Sequence, residues 1–234
     1  MFRDVIKGEN LGKSLFGGEN LTCIRGGRTV FIGLNLHLDK GSALILEGPN
    51  GSGKSSLIRI LSGLLRPRLG SLTWQGRDAT KEPEIFQDHI HYIGHRNAIK
   101  PVLSVQENLS YWSGLDKDDP DLDKALDQFN MLPLKNTPAN LLSSGQSRRL
   151  ALSRLLASER KLWLLDEPSV GLDVASVKLL EQVITKHRAN GGSVIFATHS
   201  PIEVEAPTIL NLRDYSPLYN PALINLDDEE DCWI

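Results

Sequence analysis

The feature that most constrains this chain is a passage from strand to helix. The apolar run Ser42-Ala43-Leu44-Ile45-Leu46-Glu47 meets Gly48-Pro49-Asn50-Gly51-Ser52-Gly53-Lys54-Ser55, and Leu57, Ile58, Ile60, Leu61, Leu64 and Leu65 follow at helical spacing until Pro67. A short apolar run bounded by glycines fits a buried parallel strand. The eight-residue loop fits G-x-x-x-x-G-K-[ST], and a strand before it with a helix after it is the setting in which that pattern binds phosphate. Its glycines let backbone N–H groups close around phosphate oxygens, while the helix adds its positive end. Lys54 is expected on the β- and γ-phosphates of a nucleotide, the Ser55 hydroxyl on Mg²⁺, and Ser56 in the same site.

A second apolar run, Leu162-Trp163-Leu164-Leu165, ends in Asp166-Glu167. Carboxylates at that end of a parallel strand emerge at the edge where such sheets place ligands. Asp166 is expected to hold Mg²⁺ through water, and Glu167 to polarise the attacking water in phosphoryl transfer. Alone, the dipeptide before Pro168 would be an ordinary turn. A third run, Ser193 to Ala197, leads through Thr198 to His199, which is expected to contact the γ-phosphate and to orient Glu167 and water. About twenty residues before Asp166 stands Leu142-Ser143-Ser144-Gly145-Gln146, opening a basic amphipathic helix through Ala157. Ser143 and the N–H of Gly145 can donate to an anion there. The same residues also read as a capping box, with no ligand implied.

The surrounding text alternates strand and helix. Strands are expected over about 19–38, broken at Gly26-Gly27, and over 71–76. Helices are expected over 104–113, 121–130, 146–158 and 174–189, the last stopped at Asn190-Gly191-Gly192. This predicts an α/β sheet core with a helical insertion at about 85–158. Residues 1–18 read as a loose extension and 213–234 as a C-terminal tail, with a solvated acidic end at 227–231. With 234 residues and 40% hydrophobic content the chain can bury one sizeable core. A net charge of −3 offers no footprint for nucleic acid, so no such partner is expected. Cys23 and Cys232 read as free thiols. No apolar run reaches membrane-span length, so a membrane role would come through partners.

These motifs in this order resemble the ATP-binding subunits of ABC transporters from about residue 19 to 212. That family's signature turn is usually Leu-Ser-Gly-Gly-Gln; here Ser144 replaces the first glycine. The resemblance implies a P-loop NTPase of ABC type, with a mostly parallel sheet core, an antiparallel β region and a helical signature subdomain. It also implies ATP and Mg²⁺ as ligands, and a second ATP-binding chain. Ser143, Ser144, Gly145 and Gln146 would reach the γ-phosphate held by that second chain, and Asp173, in the D-loop position, would cross the interface. Arg25 stands where many members stack an aromatic on adenine. His95 stands where members generally have Gln, at the hinge to the helical subdomain, and is grouped with Ser55 and Asp166 around the metal.

Tyr92-Ile93-Gly94-His95-Arg96-Asn97-Ala98-Ile99-Lys100, Leu162 through Pro168, and Thr198-His199-Ser200-Pro201 narrow the match towards the haem-exporter ATPases of cytochrome c maturation. That implies membrane subunits of CcmB, CcmC and CcmD type and a peripheral place on the cytoplasmic face of a bacterial inner membrane, with the mitochondrial matrix face as the less favoured alternative. Hydrolysis would drive haem export or release of a haem-loaded chaperone. The chain has no Cys-x-x-Cys-His, and His89 and His91 are expected at the exposed surface. The core motifs do not encode cargo, so another small-substrate exporter, or a soluble ABC-type ATPase acting on ribosomes or DNA, stays open at this level.

Overall fold

The computed structural model describes residues 14–113 and 121–226. In chain order its elements are β1 (Ser14–Arg25), β2 (Arg28–Asp39), β3 (Ala43–Glu47), α1 (Lys54–Leu61), β4 (Leu69–Trp74), β5 (Arg77–Asp78), α2 (Glu84–Gln87), β6 (Ile90–Ile93), α3 (Val105–Ser113), α4 (Leu122–Asp127), α5 (Ser144–Ser153), β7 (Leu162–Asp166), α6 (Val174–Ala189), β8 (Ser193–Ala197) and β9 (Thr208–Asn211). The acidic stretch 227–231 and Cys232 lie outside the described residues.

Two hairpins shape an antiparallel sheet of order β2-β1-β4-β5. Gly26 and Gly27 take φ of 56° and 73° between Arg25 and Arg28, which face each other across the turn. Two successive left-handed residues match the twist of the strands they join, and Gln75-Gly76 does the same between β4 and β5. β1 starts earlier than the expected extension allowed. Ser14 to Gly18 pair with β2, and Phe16 to Gly18 also pair with β4, so residues 14–18 belong to the sheet.

The second sheet is parallel, of order β6-β7-β8-β3-β9. Every residue of β7 and β8 is buried. Side-chain alternation sends Leu162, Leu164, Ile195 and Ala197 to a core shared with α1 and the antiparallel sheet, where Phe16, Phe31 and Phe86 lie. It sends Trp163, Leu165, Val194 and Phe196 to the other face, against Leu109, Leu126, Phe129, Leu152 and Leu180 of the helical layer. Two cores thus hold one sheet, and its strand ends are left for chemistry.

Three expectations need correction. β6 falls inside the supposed helical range 85–158, so the helical part begins only after the loop that follows it. That loop is pinned by the buried Asn108. Its side chain accepts from Lys100 N at 2.7 Å and donates to the Lys100, Leu103 and Ser104 carbonyls. The chain beyond 212 is also not a bare tail. It forms short turns at Leu212–Tyr215 and Pro221–Leu226, and the Tyr219 hydroxyl donates to the Asn50 carbonyl of the phosphate loop at 3.1 Å. Finally, His89 and His91 are partly buried. His89 stacks on Trp74, and His91 sits within hydrogen-bonding distance of the Ser158 carbonyl and hydroxyl.

Candidate nucleotide site

The loop 48–53 rests on backbone conformations that glycine alone takes easily. Gly48, Gly51 and Gly53 all have positive φ. At Gly53 (φ 103°) a Cβ would stand 2.6 Å from Val30 and 3.0 Å from Phe31, so only glycine fits. Gly53 is the N-cap of α1, and no side chain caps that helix end. An uncapped helix start with its N–H groups free is a ready anion site.

Lys54 is buried with the loop, and its Nζ donates to the carbonyls of Gly48 (2.6 Å) and Pro49 (3.2 Å). Burial pushes its pKa down, and the carboxylates of Glu167 and Asp166 oppose that shift. Ser55 Oγ donates to Asp166 Oδ1 at 3.0 Å, joining α1 to the end of β7. Asp166 is 1% exposed and its Oδ2 has no partner, as is also true of Ser52 Oγ. A buried carboxylate oxygen left without a donor is costly, which is the state expected of a group reserved for a cation. Ser55 and Asp166 therefore fit Mg²⁺.

Glu167 follows in the left-handed region at φ 51°, a strained setting for a non-glycine residue. Its N–H donates to the Ala197 carbonyl at 2.9 Å. Its carboxylate accepts from the His199 backbone N–H at 3.1 Å, and the other oxygen lies 3.5 Å from His199 Nε2. The imidazole is half exposed while the carboxylate is 14% exposed, so the pair opens to solvent on the imidazole side. The structure thus brings Ser55, Asp166, Glu167 and His199 to one sheet edge, beside the loop of Gly48 to Ser56.

Among the described residues, none of the remaining expected side chains hydrogen-bonds to that group. Arg25 is exposed at the hairpin end of β1, and His95 is exposed in the loop after β6, with no hydrogen bond to Asp166 or Ser55. Among the described residues no three or more His, Cys, Asp or Glu side chains gather as a metal cluster. At the start of α5 the capping box is formed. Ser143 Oγ accepts from Gln146 N (3.2 Å), and Gln146 Oε1 accepts from Ser143 N (2.8 Å). The Ser143 hydroxyl proton is still free to donate. A Cβ on Gly145 would come within 2.9 Å of the Gly171 carbonyl, so the turn packs directly on the loop after Glu167. Asp173 caps α6 by accepting from Ser176 N at 2.8 Å, and the Ser176 side chain first and its backbone N–H second hold the carboxyl pKa down. Sequence reading missed Arg148, a buried guanidinium that binds the backbone of the Asp166-Glu167 pair; only its place in the basic face of α5 could have flagged it.

A family model described as ABC transporter matches residues 31–170, more than half of the chain. A solved ABC transporter ATP-binding protein from Pyrococcus furiosus superposes with a TM-score of 0.75 at 24% identity, covering 86% of this chain and 98% of that one. The fold is that of an ABC transporter ATP-binding domain. Two relatives are each called cytochrome c biogenesis ATP-binding export protein CcmA. The one from Paramagnetospirillum magneticum is 47% identical over 211 residues, which is 88% of this chain and 97% of the relative. The one from Rhodospirillum rubrum is 47% identical over 205 residues, 87% and 88% of the two chains. The chain belongs to this CcmA family of ABC transporter ATP-binding proteins.

Proposed function

We propose that this chain is the ATP-hydrolysing subunit of an ABC complex in cytochrome c maturation, coupling hydrolysis to haem export or to release of a haem-loaded chaperone. The convergence of Ser55, Asp166, Glu167 and His199 beside an uncapped helix start carries the hydrolytic part. The haem part follows from the relatives' cytochrome c role.

ATP would lie on residues 48–56, against the backbone N–H groups that the glycines and the start of α1 leave open, with Lys54 exchanging the Gly48 and Pro49 carbonyls for phosphate oxygens. Ser55 and Asp166 would hold Mg²⁺, which when bound supplies neutralising charge at the phosphates. Glu167 orients a water and draws its proton, and His199, already against that carboxylate, faces the γ-phosphate. The free hydroxyl of Ser143, with Ser144, Gly145, Gln146 and Asp173, would serve the nucleotide of a second ATP-binding chain. Arg25 is assigned to the adenine, and His95 to the metal surroundings.

Among the described residues no helix is long and apolar enough to cross a membrane. Membrane subunits of CcmB, CcmC and CcmD type are the proposed partners, placing the chain on the cytoplasmic face of the inner membrane with no nucleic-acid role. The test is affinity purification from native membranes in mild detergent, with mass spectrometry and an absorbance scan near the haem Soret band. Recovery of those subunits is expected. Recovery of an unrelated permease would overturn the haem assignment and leave the ATPase chemistry standing.

A further inference from the structure

Arg148 lies one turn into α5 and is 3% exposed. Its Nε donates to the Pro168 carbonyl at 3.1 Å, and its Nη1 to the Gly94 carbonyl (2.9 Å) and Asn97 Oδ1 (3.0 Å). Its Nη2 donates to the carbonyls of Asp166 (3.0 Å) and Glu167 (2.8 Å). Five bonds from one guanidinium use the whole donor capacity of the fork. The acceptors are four backbone carbonyls and one amide oxygen, so the buried cation is solvated by dipoles. Burial lowers its pKa, while the Asp166 and Glu167 charges hold it up.

The choice of acceptors is informative. Three are the consecutive carbonyls of Asp166, Glu167 and Pro168, and the middle one belongs to the residue at φ 51°. The other two sit on the loop after β6 that carries His95. The same helix begins at the Ser143 turn, one residue of which packs on Gly171. From the helix that opens at the signature turn, one side chain therefore clasps the hinge loop and the backbone of the reacting carboxylate. An apolar residue would fill the space, but it could not hold three carbonyls in a row or join them to a second loop.

We propose that Arg148 is a positioning residue for hydrolysis, holding the Glu167 backbone in its left-handed conformation and tying that conformation to the loop 94–97. This rests on the ATP-hydrolysing reading above. Arg148 does not meet the nucleotide. It acts through Glu167, so its loss should appear in turnover and leave substrate binding alone.

The test compares turnover and ATP affinity of the full chain as wild type, Glu167→Gln, Arg148→Ala, Arg148→Lys and Asn97→Ala. Arg148→Ala is expected to lower kcat roughly tenfold to a hundredfold, as small misplacements of reacting groups do. KM and ATP affinity should stay within about twofold. Arg148→Lys should fall between, since one ammonium cannot meet five acceptors, and Asn97→Ala should lose least. Millimolar guanidinium should restore part of the turnover of Arg148→Ala, urea at the same concentration should not, and Glu167→Gln should gain from neither. Wild-type kcat in Arg148→Ala overturns the proposal, as does a loss of ATP affinity in step with kcat. If Arg148→Ala does not fold, Arg148→Lys and Asn97→Ala decide: reduced kcat at unchanged affinity supports it, and wild-type kcat in both defeats it. A wild-type chain without ATP turnover would instead remove the hydrolytic reading itself.

Discussion

The two ends of the parallel sheet bury polar side chains in opposite ways. Where the strands enter, His187 lies flat on Trp163 with ring centroids 3.7 Å apart, and its Nε2 meets the Ser193 carbonyl at 3.3 Å. His91, beside Trp163 in the sheet register, is met by Ser158. Burial drives both imidazoles neutral, to pKa values of about 4 and about 3. Where the strands leave, Asp166 keeps an oxygen buried and unmatched, Glu167 is strained, and Lys54 rests on carbonyls of its own loop. The entry end is not flawless, because the Trp163 indole N–H and the Nε of Arg154, a cation near His91, also lack partners. The indole is a neutral donor and the Arg154 guanidinium lies over the Trp112 ring at 3.8 Å, whereas a carboxylate oxygen costs more to strand. A cavity of about 1050 Å³ opens at the entry end among Trp163, His187, Lys40 and Lys186, away from the phosphate loop. An unmatched carboxylate oxygen and a strained backbone mark the reactive end, and this cavity does not.

The contrast predicts where substitutions change chemistry and where they change stability. Glu167→Gln should show the largest effect, lowering ATP turnover about a hundredfold or more while ATP still binds. Normal turnover in that variant would place the strained residue outside the reaction and dissolve the contrast. Lys54→Ala should weaken ATP binding by roughly tenfold to a hundredfold, the worth of charge-assisted bonds to phosphate. An unchanged dissociation constant, measured by titration calorimetry, would contradict the cradle. At the entry end, Gly192→Ala should leave the site intact and cost about 1–3 kcal/mol of stability. The added Cβ lands on the His187 ring, which would have to leave Trp163. Wild-type urea resistance in that variant would mean the stack carries little.

How much of this was legible in the sequence differs between the same two ends. Gly48 to Ser55, Asp166, Glu167 and His199 could be read because each sits at the close of an apolar run, and spacing alone brings those closes to one edge. β7 and β8 read plainly because every residue in them is buried. β6 did not, since Ile90-His91-Tyr92-Ile93 mixes half-buried polar and aromatic residues and lies beside helical text. β9 escaped because it is an edge strand with Ile209 exposed. The histidines were misplaced for a related reason. Imidazole is polar by type, and nothing local announces a tryptophan stacked across from it. Arg148 was hidden in the same way, as one arginine among several on a basic helix whose acceptors are carbonyls far along the chain.

The smallest effect is the one that separates a neutral buried histidine from a charged one. In the unfolded chain His187 titrates near the ordinary value of 6.5, and in the fold near 4. Between those values the unfolded chain binds more protons, so the stability held above pH 6.5 drains as pH falls towards 4. Each pH unit in that window is worth about 1 kcal/mol for one such group, and His91 adds its own share. His187→Phe keeps a ring against Trp163 and removes the titration. Its stability should therefore fall less between pH 7 and pH 5 than that of the wild type, by about 1–2 kcal/mol in urea unfolding. Parallel losses in the two proteins would show that His187 gains its proton without leaving the stack. The entry end would then tolerate charge as the exit end does, and strain at Glu167 with the orphaned oxygen of Asp166 would be left as the whole difference between them.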